Sequence, residues 1–376
     1  MTPSDSETWI SLATLMLASD FGIIPAAVDQ GPAGTATHNY VATGADGTKW
    51  FVKTYPADTP LGPVDAAARL SEYARLCRVP VAAARPTTDQ NRLVAAHPGL
   101  VMTVTRYIPD TVTAAGRLTG RHWESAGQAV GRLHRGLARH EFGPPRTGPR
   151  DKAIDLARTV ARLEELIARY EAEPPDTAFE RWALDTAREK LARVPEVEQL
   201  LDRVPRAMVS QLVHGDLSGL NVLLRGDGVA ALVDFHPPVR RAAVWELGRL
   251  ALDPRTVLAQ PDWPEGLGRL AAAHHCLHPV VPVEELVSMV RVTAAALALS
   301  LYPLNAVHDG LGPVSGSLEQ YARDRHQAAA VLRARLEEAE ETLCDHSAEP
   351  HPTPCASLAA APARALNRPP HQPARS

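Results

Sequence analysis

Residues 212–235, LVHGDLSGLNVLLRGDGVAALVDF, are rich in apolar residues and lie within a stretch of chain whose other segments have helical periodicity. Two apolar runs, VLLR and VAALVDF, flank the sequence GDG at 226–228, which is typical of a tight hairpin turn. With Asp227 and Gly228 as the central turn residues, Asn221 falls directly opposite Asp234, and opposed Cβ atoms lie about 5 Å apart. The segment therefore predicts a hairpin that brings an amide and a carboxylate together at its open end.

A third oxygen-bearing side chain, Asp216, precedes Asn221 by five residues in a stretch without strand or helix periodicity, and we expect this loop to deliver it to the same end. Amide and carboxylate oxygens are hard ligands that suit a divalent cation. One acid beside two such ligands is the layout of phosphoryl transfer, in which the acid accepts the proton of the substrate hydroxyl. Each residue alone is also common as a turn cap, a strand start or a hairpin end, and only the combination indicates a functional site.

The first part of the chain predicts a small lobe of α+β type. The runs NYVAT and TKWFVKTY flank the turn signal GADG, so that 39–55 is predicted to be a β-hairpin. A helix is predicted at 63–78 and a further strand at 100–108. We therefore assign 1–108 to an N-terminal lobe.

Amphipathic helices dominate from Trp123 onward, with the segment 212–235 as the β-rich exception. This pattern predicts a larger, mainly helical lobe at 109–343. The remainder, 344–376, consists largely of Pro, Ala, His and Ser without periodicity. Such a composition buries too little apolar surface to order itself, so a disordered tail is expected.

Composition excludes several classes of partner. The formal net charge is −4, which provides no basic field to gather nucleic acid. The N-terminus lacks the basic start of a signal peptide, and the longest apolar run, 292–304, is shorter than the ~20 residues that cross a bilayer and contains Pro303. A cytoplasmic protein without a membrane partner is expected. The abundance of arginine, alanine and proline is typical of a high-GC, actinobacterial genome, and lysine occurs only four times.

The string HGDLSGLN at 214–221, followed by VDF at 233–235, resembles the aminoglycoside phosphotransferase and choline kinase superfamily. The resemblance implies a bilobal protein-kinase-like fold, with a nucleoside triphosphate bound between a small β-rich lobe and a larger helical lobe. It also implies that Asp216 is the catalytic base and that Asn221 and Asp234 are Mg²⁺ ligands. His214 would support the loop. ATP or GTP would be the phosphoryl donor, and the sequence leaves open which of the two is used.

The resemblance extends from about residue 30 to about residue 252 and implies further nucleotide contacts. Lys53, at the end of the strand WFVK, resembles the strand lysine that grips the nucleotide phosphates. Glu72, on the next helix, resembles the acidic partner that holds this lysine in place. Four other residues fall where the family contacts the nucleotide, the first two in a phosphate-covering loop and the last two at the hinge: Gly34, Thr35, Thr105 and Tyr107.

The sequence departs from the family pattern after Asp234, where DFHPPVRR is stiff and basic instead of acidic. Polycationic aminoglycosides need several carboxylates around their amines, so this segment argues against an aminoglycoside acceptor. In the next helix Glu246 occupies the family's acidic place, and we interpret it as structural. His274 and His278 have the spacing of a shared zinc site but lack a third ligand, which favours a packing role.

We therefore predict an O-phosphotransferase that acts on a hydroxyl of a small molecule, with an antibiotic as the first choice of acceptor. Two alternatives stay open. One is a primary-metabolite kinase of the homoserine, choline or sugar type, which would use the same catalytic residues. The other is a pseudokinase that binds nucleotide as a scaffold, although competent residue types stand at all four chemical positions.

Overall fold

An antiparallel sheet forms the N-terminal region of the structure, a computed structural model that describes residues 3–32, 37–89, 92–142, 144–150, 155–308 and 314–348. The described strands follow the order β1-β2-β3-β5-β4. In chain order they are β1 (Pro25–Gln30), β2 (His38–Gly44), β3 (Lys49–Pro56), β4 (Val94–His97) and β5 (Leu100–Arg106). The predicted hairpin at 39–55 corresponds to β2 and β3.

Two helices accompany this sheet, α1 (Pro3–Phe21) and α2 (Leu61–Leu76). The apolar side of α1 packs against the sheet, where Leu17 and Phe21 share a core cluster with Val52 of β3. Helix α2 connects β3 to β4 and contacts β4. Together these elements hold β3, a central strand, between β2 and β5.

The C-terminal region is mostly helical, as the periodicity predicted. Its helices are α3 (Arg121–Leu137), α4 (Leu156–Ala172), α5 (Ala178–Ala192), α6 (Val194–Asp202), α7 (Ala243–Ala251), α8 (Pro254–Ala259), α9 (Trp263–Leu277), α10 (Val283–Ala298), α11 (Gly316–Ala334) and α12 (Leu336–Ala348). The whole is an α+β, bilobal, protein-kinase-like fold, which confirms the predicted fold class. Within the described ranges, no helix combines the length and apolar character that crossing a membrane requires.

Short strands in this region form two small antiparallel sheets, ordered β10-β9-β6 and β11-β8-β7. The strands are β6 (Val112–Thr113), β7 (Arg146–Pro149), β8 (Ala207–Val213), β9 (Val222–Arg225), β10 (Gly228–Leu232) and β11 (Val239–Ala242). The segment between β8 and β9 contains Asp216, so the predicted loop lies between two sheets.

The predicted hairpin register is wrong by one residue. The turn is centred on Gly226 and Asp227, since Arg225 pairs with Gly228, and Gly226 has φ +55°, as a glycine at the first central position of a type II′ turn requires. A bulge between Val229 and Ala231 then shifts the ladder. As a result the Val233 N–H donates to the Asn221 carbonyl at 3.0 Å, and Asp234 lies one residue beyond the opposed pair.

Helices α3 and α9 pack unusually closely because α3 carries a glycine at the contact. A Cβ atom on Gly127 would lie 2.2 Å from the carbonyl oxygen of Leu270. This close approach brings one turn of α3 against α9, and it places the His134 ring 5.2 Å from the His274 ring between centroids.

The last described helix, α12, runs through Ala348, so the predicted boundary at 343/344 falls inside a helix. The physical reason is an apolar face: Leu336, Ala339 and Leu343 are buried, and α12 packs on α9 and α10. The part of the predicted tail from 349 to 376 lies outside the described residues.

A buried lysine, Lys190 of α5, lies against the C-terminal end of α10. Its ammonium donates hydrogen bonds of 2.9 Å to the carbonyl oxygens of Leu297 and Ala298. Carbonyl groups in the last turn of a helix lack intrahelical partners, and a cation there is favourable. The lysine therefore satisfies two helix-terminal carbonyls at the cost of its own burial.

Burial lowers the pKa of the Lys190 ammonium to about 7, far below its ordinary value of 10.5. The charges that act on it are, in decreasing order, those of Arg325, Glu189, Arg193 and Arg333, of which only Glu189 opposes the shift. Between pH 7 and 10.5 the unfolded chain therefore binds more protons at this position than the folded chain. The contribution of Lys190 to the free energy of unfolding therefore rises with pH across that window. The cost of burying the charged ammonium is fully present below pH 7.

We expect Lys190→Met to remove this dependence. The free energy of unfolding of the wild type relative to the variant should increase from pH 7 to pH 10, because over this range Lys190 is protonated in the unfolded chain and neutral in the folded chain. Each unit of pKa difference corresponds to about 1.4 kcal/mol. Urea titrations at several pH values would measure it. Lys49→Met, at an exposed lysine, is the matched control, and an equal slope for both variants would contradict the expectation.

Candidate functional site

The Asp216 carboxylate lies on the loop after β8 and is about half exposed. Its Oδ1 accepts a hydrogen bond of 2.6 Å from the guanidinium of Arg249 in α7. The side-chain amide of Asn221 donates to the Asp216 carbonyl oxygen at 2.7 Å and more weakly, at 3.3 Å, to its carboxylate. The structure thus brings Asp216 and Asn221 into contact and directs the amide oxygen of Asn221 away from Asp216.

The backbone of this loop is fixed by Glu246 of α7. The carboxylate of Glu246 accepts hydrogen bonds from the N–H groups of His214 (3.0 Å) and Gly215 (2.8 Å). Gly215 has φ +94°, and a Cβ there would lie 2.5 Å from the Cβ of His236. Only glycine fits this position, which allows the chain to turn sharply just before Asp216.

His214 supports the loop from inside the protein. Its fully buried ring lies 4.2 Å from the Phe235 ring between centroids, and its Nε2 bonds the Val233 carbonyl at 3.0 Å. Burial lowers the pKa of His214, so the neutral ring donates from Nε2. His214 therefore links the segment before Asp216 to the segment before Asp234.

A chain of buried polar groups continues from Glu246 into α3 and α9. The Nε2 of His134 contacts Glu246 at 3.0 Å and its Nδ1 contacts His274 Nε2 at 3.0 Å. Burial raises the pKa of Glu246, but the hydrogen bond and charge of His134, with His214 and the Gly215 N–H, bring it below the ordinary value. Glu246 is completely buried, which agrees with its interpretation as structural.

The histidines of α9 belong to this chain. Burial first, then the neighbouring histidines, lowers the pKa of His274 far below its ordinary value, and burial with the charge of His134 lowers that of His278 to about 3. His278 Nε2 contacts the side-chain oxygen of Gln211 at 2.8 Å. Over the part of the chain that the structure describes, no group of three or more His, Cys, Asp or Glu residues has a metal-binding arrangement. Both histidines are buried and hydrogen-bonded inside the protein, to His134 and Gln211.

The hairpin end brings Asp234 to the N-terminal sheet. Asp234 has φ +63°, a left-handed conformation, and its half-exposed carboxylate accepts a hydrogen bond from the ammonium of Lys53. Lys53 stands in the middle of β3, paired in register with Asn39 on one side and Thr103 on the other. The Lys53–Asp234 ion pair therefore bridges the two lobes.

Burial lowers the pKa of the Lys53 ammonium, but the charge of Asp234 and the hydrogen bonds with Asp234 and Tyr55 together raise it above its ordinary value. Lys53 is fully charged at neutral pH. Glu72 does not contact it: the expected Glu72–Lys53 pair is absent from the described contacts of both residues. Glu72 instead binds Arg75 one turn along α2, at 2.5 and 2.8 Å. Glu72 pairs with Arg75 because Arg75 lies nearby on the same helix, and Lys53 pairs with Asp234 because this carboxylate is a strong acceptor.

The remaining predicted nucleotide contacts lie at the C-terminal end of β5 or outside the described residues. Thr105 is in β5, opposite Phe51 of β3, and Tyr107 follows β5 with its N–H on the Lys49 carbonyl at 3.1 Å. Both are partly buried where the chain leaves the sheet. The two residues predicted for the phosphate-covering loop, Gly34 and Thr35, lie outside the described residues.

A cavity of about 480 Å³ opens beside Asp216 on the helical side. Ser218 of the Asp216 loop and Arg249, which binds Asp216, both belong to its wall. A volume in this range accommodates a small molecule. Other wall residues are Trp245, Leu252, Tyr302, Tyr321 and Arg325.

Arg249 was missed in the sequence analysis. It lies three residues after Glu246 in α7, so both side chains emerge on neighbouring positions of one helix face. The spacing becomes informative only once the structure shows Glu246 bound to the loop, because Arg249 then lies next to Asp216. Arg325, by contrast, reaches the cavity from α11, and no local signal marks it.

The geometry can support transfer chemistry between a phosphate-bearing ligand and a molecule in the cavity. Asp216 contacts Arg249 of the cavity wall, Lys53 supplies a positive charge, and Asn221 and Asp234 supply two hard oxygens at one end of the hairpin. Two such oxygens fit a divalent cation that completes its coordination with phosphate oxygens and water, as Mg²⁺ commonly does.

Comparisons with known proteins agree with this geometry. Residues 30–285 match the family described as APH, phosphotransferase enzyme family. A search among curated protein sequences finds no match. Among solved structures, an amicoumacin kinase in complex with AMP-PNP, Ca²⁺ and Ami is similar, with TM-score 0.60, 15% identity and coverage of 88% of this chain and 96% of that chain.

Two other solved structures show the same fold. An aminoglycoside phosphotransferase from Alicyclobacillus acidocaldarius has TM-score 0.56 and 16% identity, covering 86% of this chain and 96% of its own. A choline/ethanolamine kinase family protein from Mesorhizobium loti has TM-score 0.55 and 16% identity, covering 91% of this chain and 99% of its own. At these identities the likeness concerns the fold.

Proposed function

Because this chain belongs to the phosphotransferase enzyme family, we propose that it transfers the terminal phosphoryl group of ATP or GTP to a hydroxyl of a small molecule, and that this acceptor is an antibiotic. Three observations support the proposal: the contact between Asn221 and Asp216, the ion pair between Lys53 and Asp234 at the end of the same hairpin, and a cavity of small-molecule size whose wall includes Arg249, the partner of Asp216. The same observations argue against a pseudokinase, since every chemical position has a competent residue.

In this proposal Asp216 accepts the proton of the acceptor hydroxyl and orients its oxygen toward the phosphorus. Arg249 already contacts this carboxylate at 2.6 Å and holds it in one orientation. His214 and Glu246 act as positioning residues, because they fix the loop through its backbone. In a loose transition state little covalent work falls to the base, and orientation supplies much of the rate.

Asn221 and Asp234 would hold Mg²⁺, which neutralises charge that develops on the transferred phosphoryl group. Lys53 and the hinge residues Thr105 and Tyr107 would bind the nucleotide. Lys53 must then exchange its ion pair with Asp234 for contacts with phosphate oxygens. The loop containing Gly34 and Thr35 is proposed to cover those phosphates.

The preference for an antibiotic is supported by the chain's high-GC composition and by the antibiotic kinases among the proteins of the same fold. A primary-metabolite kinase is the second candidate, supported by the similarity to a choline/ethanolamine kinase family protein. Both candidates use the same catalytic residues, and the acceptor distinguishes them.

An acceptor screen read by mass spectrometry tests the function. ATP and GTP are supplied in parallel with magnesium, against antibiotics and against small metabolites that include homoserine, choline and sugars. A gain of about 80 Da, one added HPO₃ group, on an antibiotic would support the first candidate, and a gain on a metabolite alone would support the second. Tight nucleotide binding without any transfer would support the pseudokinase.

We expect Glu72→Ala to weaken the binding of AMP-PNP about tenfold, a loss of about 1.4 kcal/mol. In the proposal Glu72 leaves Arg75 and takes over Lys53 once Lys53 has released Asp234. Calorimetric titration would give the dissociation constant. Asp65→Ala is the matched control, since Asp65 binds Arg69 in an analogous pair on the same helix. An unchanged constant for Glu72→Ala would exclude the exchange.

A further inference from the structure

The cavity beside Asp216 contains two carboxylates, and both are committed to the fold. Asp155 caps the N-terminus of α4, where it accepts a hydrogen bond of 2.9 Å from the Arg158 N–H. Asp253 is buried and caps α8 through the Arg255 N–H at 3.0 Å. A polycationic acceptor needs several carboxylates that are free to bind its amines, so this wall is poorly suited to such an acceptor.

Two of the three aromatic rings in the cavity wall, Trp245 and Tyr321, are also engaged. The guanidinium of Arg249 lies 4.9 Å from the Trp245 ring centroid, and Arg255 lies 4.1 Å from that of Tyr321. Arg325 approaches the Tyr321 ring as well, at 5.6 Å. A quaternary ammonium group is bound by open aromatic faces. Arginines therefore cover a face of two of the three rings in the wall, and a choline-type acceptor would find one open ring, that of Tyr302, instead of an aromatic cage.

Two arginines of the cavity wall, in contrast, have no carboxylate partner among the described residues. Arg325 donates to the Ser300 hydroxyl at 2.6 Å and to the Tyr321 hydroxyl at 3.3 Å, and its Nε is buried without a hydrogen-bond partner. No carboxylate of the described residues forms an ion pair with it. Arg162 of α4, which also lines the cavity, makes no hydrogen bond or ion pair within those same described ranges.

Electrostatics ties Arg325 to the reacting end of the cavity. Burial first, with the charge of Tyr321, raises the pKa of the Tyr302 phenol, while Arg325 lowers it and Asp216 raises it. Tyr302 and Arg325 line the same cavity as Arg249, which binds Asp216. An acceptor that spans the cavity can place one group near Arg325 and another near Asp216.

We propose, on the basis of the function proposed above, that the acceptor is a hydroxy compound that also carries an anionic group, a carboxylate or a phosphate, bound by Arg325 with support from Arg162. The planar guanidinium presents donors in a fork that suits both anions. The apolar part of the acceptor packs on Leu252 and Leu301, which line the same cavity. Arginine thus selects the acceptor at one end while Asp216 orients the hydroxyl at the other.

Binding of simple probes tests the subsite without catalysis. Phenylacetate, phenyl phosphate and phenethylamine are titrated by NMR into the full chain saturated with AMP-PNP and magnesium. We expect at least one of the two anions to bind and phenethylamine to bind at least tenfold more weakly. The stronger of the two anions identifies the anionic group. Equal or tighter binding of phenethylamine would overturn the proposal.

Variants locate the site. Arg325→Met should weaken binding of the anion at least tenfold, and Arg325→Lys should lose less. Arg323→Met is the matched control on α11, because Arg323 stacks on Trp182 at 4.6 Å and does not line the cavity. Circular dichroism establishes folding of each variant, and Arg162→Met gives a second reading if Arg325→Met does not fold. Unchanged anion binding in every folded variant at 325 and 162 would overturn the assignment.

The acceptor screen separates this inference from the proposed function. Phosphoryl transfer to hydroxy acids or phosphorylated alcohols, with a raised KM in Arg325→Met, supports both. Transfer only to amino alcohols or neutral alcohols leaves the phosphotransferase intact and overturns the anionic subsite. Anion binding that depends on Arg325, without transfer to any hydroxyl, supports the subsite and contradicts the proposed function.

Discussion

Asp234→Ala is expected to abolish phosphoryl transfer, with kcat reduced about 10³-fold or more. The variant loses one of two hard oxygens at the hairpin end and also the partner of Lys53. Asp234 is half exposed and its side chain fills no core position, so the variant should fold, with a cost of about 1 kcal/mol for alanine in the left-handed conformation of this residue. Steady-state kinetics at saturating nucleotide, acceptor and magnesium would measure the loss.

Asp227→Ala is the matched control for this variant. Asp227 is an exposed carboxylate at the turn of the same hairpin, where it is remote from the open end. Its loss should leave kcat within about twofold of the wild type, as is usual for a surface substitution. Turnover of Asp234→Ala at the wild-type rate would remove Asp234 from the proposed metal site.

Asp216→Asn is expected to lower kcat about 10²-fold to 10³-fold while the affinity for AMP-PNP stays unchanged. Asparagine retains the shape of the side chain and an oxygen that Arg249 can contact, but it cannot take a proton. The residual rate should come from binding, orientation and the charges around the phosphoryl group, which the substitution leaves in place.

Measuring both kcat and the affinity for AMP-PNP distinguishes a role of Asp216 in orienting the hydroxyl from a role in binding the nucleotide. Asp227→Asn, the same chemical change outside the site, should alter neither quantity. If Asp216→Asn weakened AMP-PNP binding as much as it lowered kcat, Asp216 would hold the nucleotide and another group would have to orient the hydroxyl.

Local sequence signals predicted the elements that carry this site. The hairpins at 39–55 and 222–232 follow from turn sequences between apolar runs, and the helices from their 3.6-residue period. The register of the second hairpin was wrong because glycine at 226 moved the turn and a bulge shifted the ladder. Bulges have no local sequence requirement strong enough to be seen in a single chain.

Partners between distant segments could not be predicted in this way. Glu72 bonds Arg75, and Lys53 bonds Asp234, 181 residues away. The role of Arg325 depends on how α11 lies against α8 and α10, which no window of sequence contains. Charge and spacing therefore predicted candidate reacting groups, whereas the cavity depends on tertiary packing.

The buried His134–Glu246–His214 chain and the cavity wall rest largely on different elements. The chain involves α3, β8 and α9, whereas the wall is built from α4, α10 and α11, and α7 is common to both. Substitutions in α4, α10 and α11 can thus alter the wall while Ser218 and Arg249, its members at the Asp216 loop, stay unchanged. A protein built this way can evolve toward new acceptors by drift in three helices while its reaction chemistry stays under separate selection.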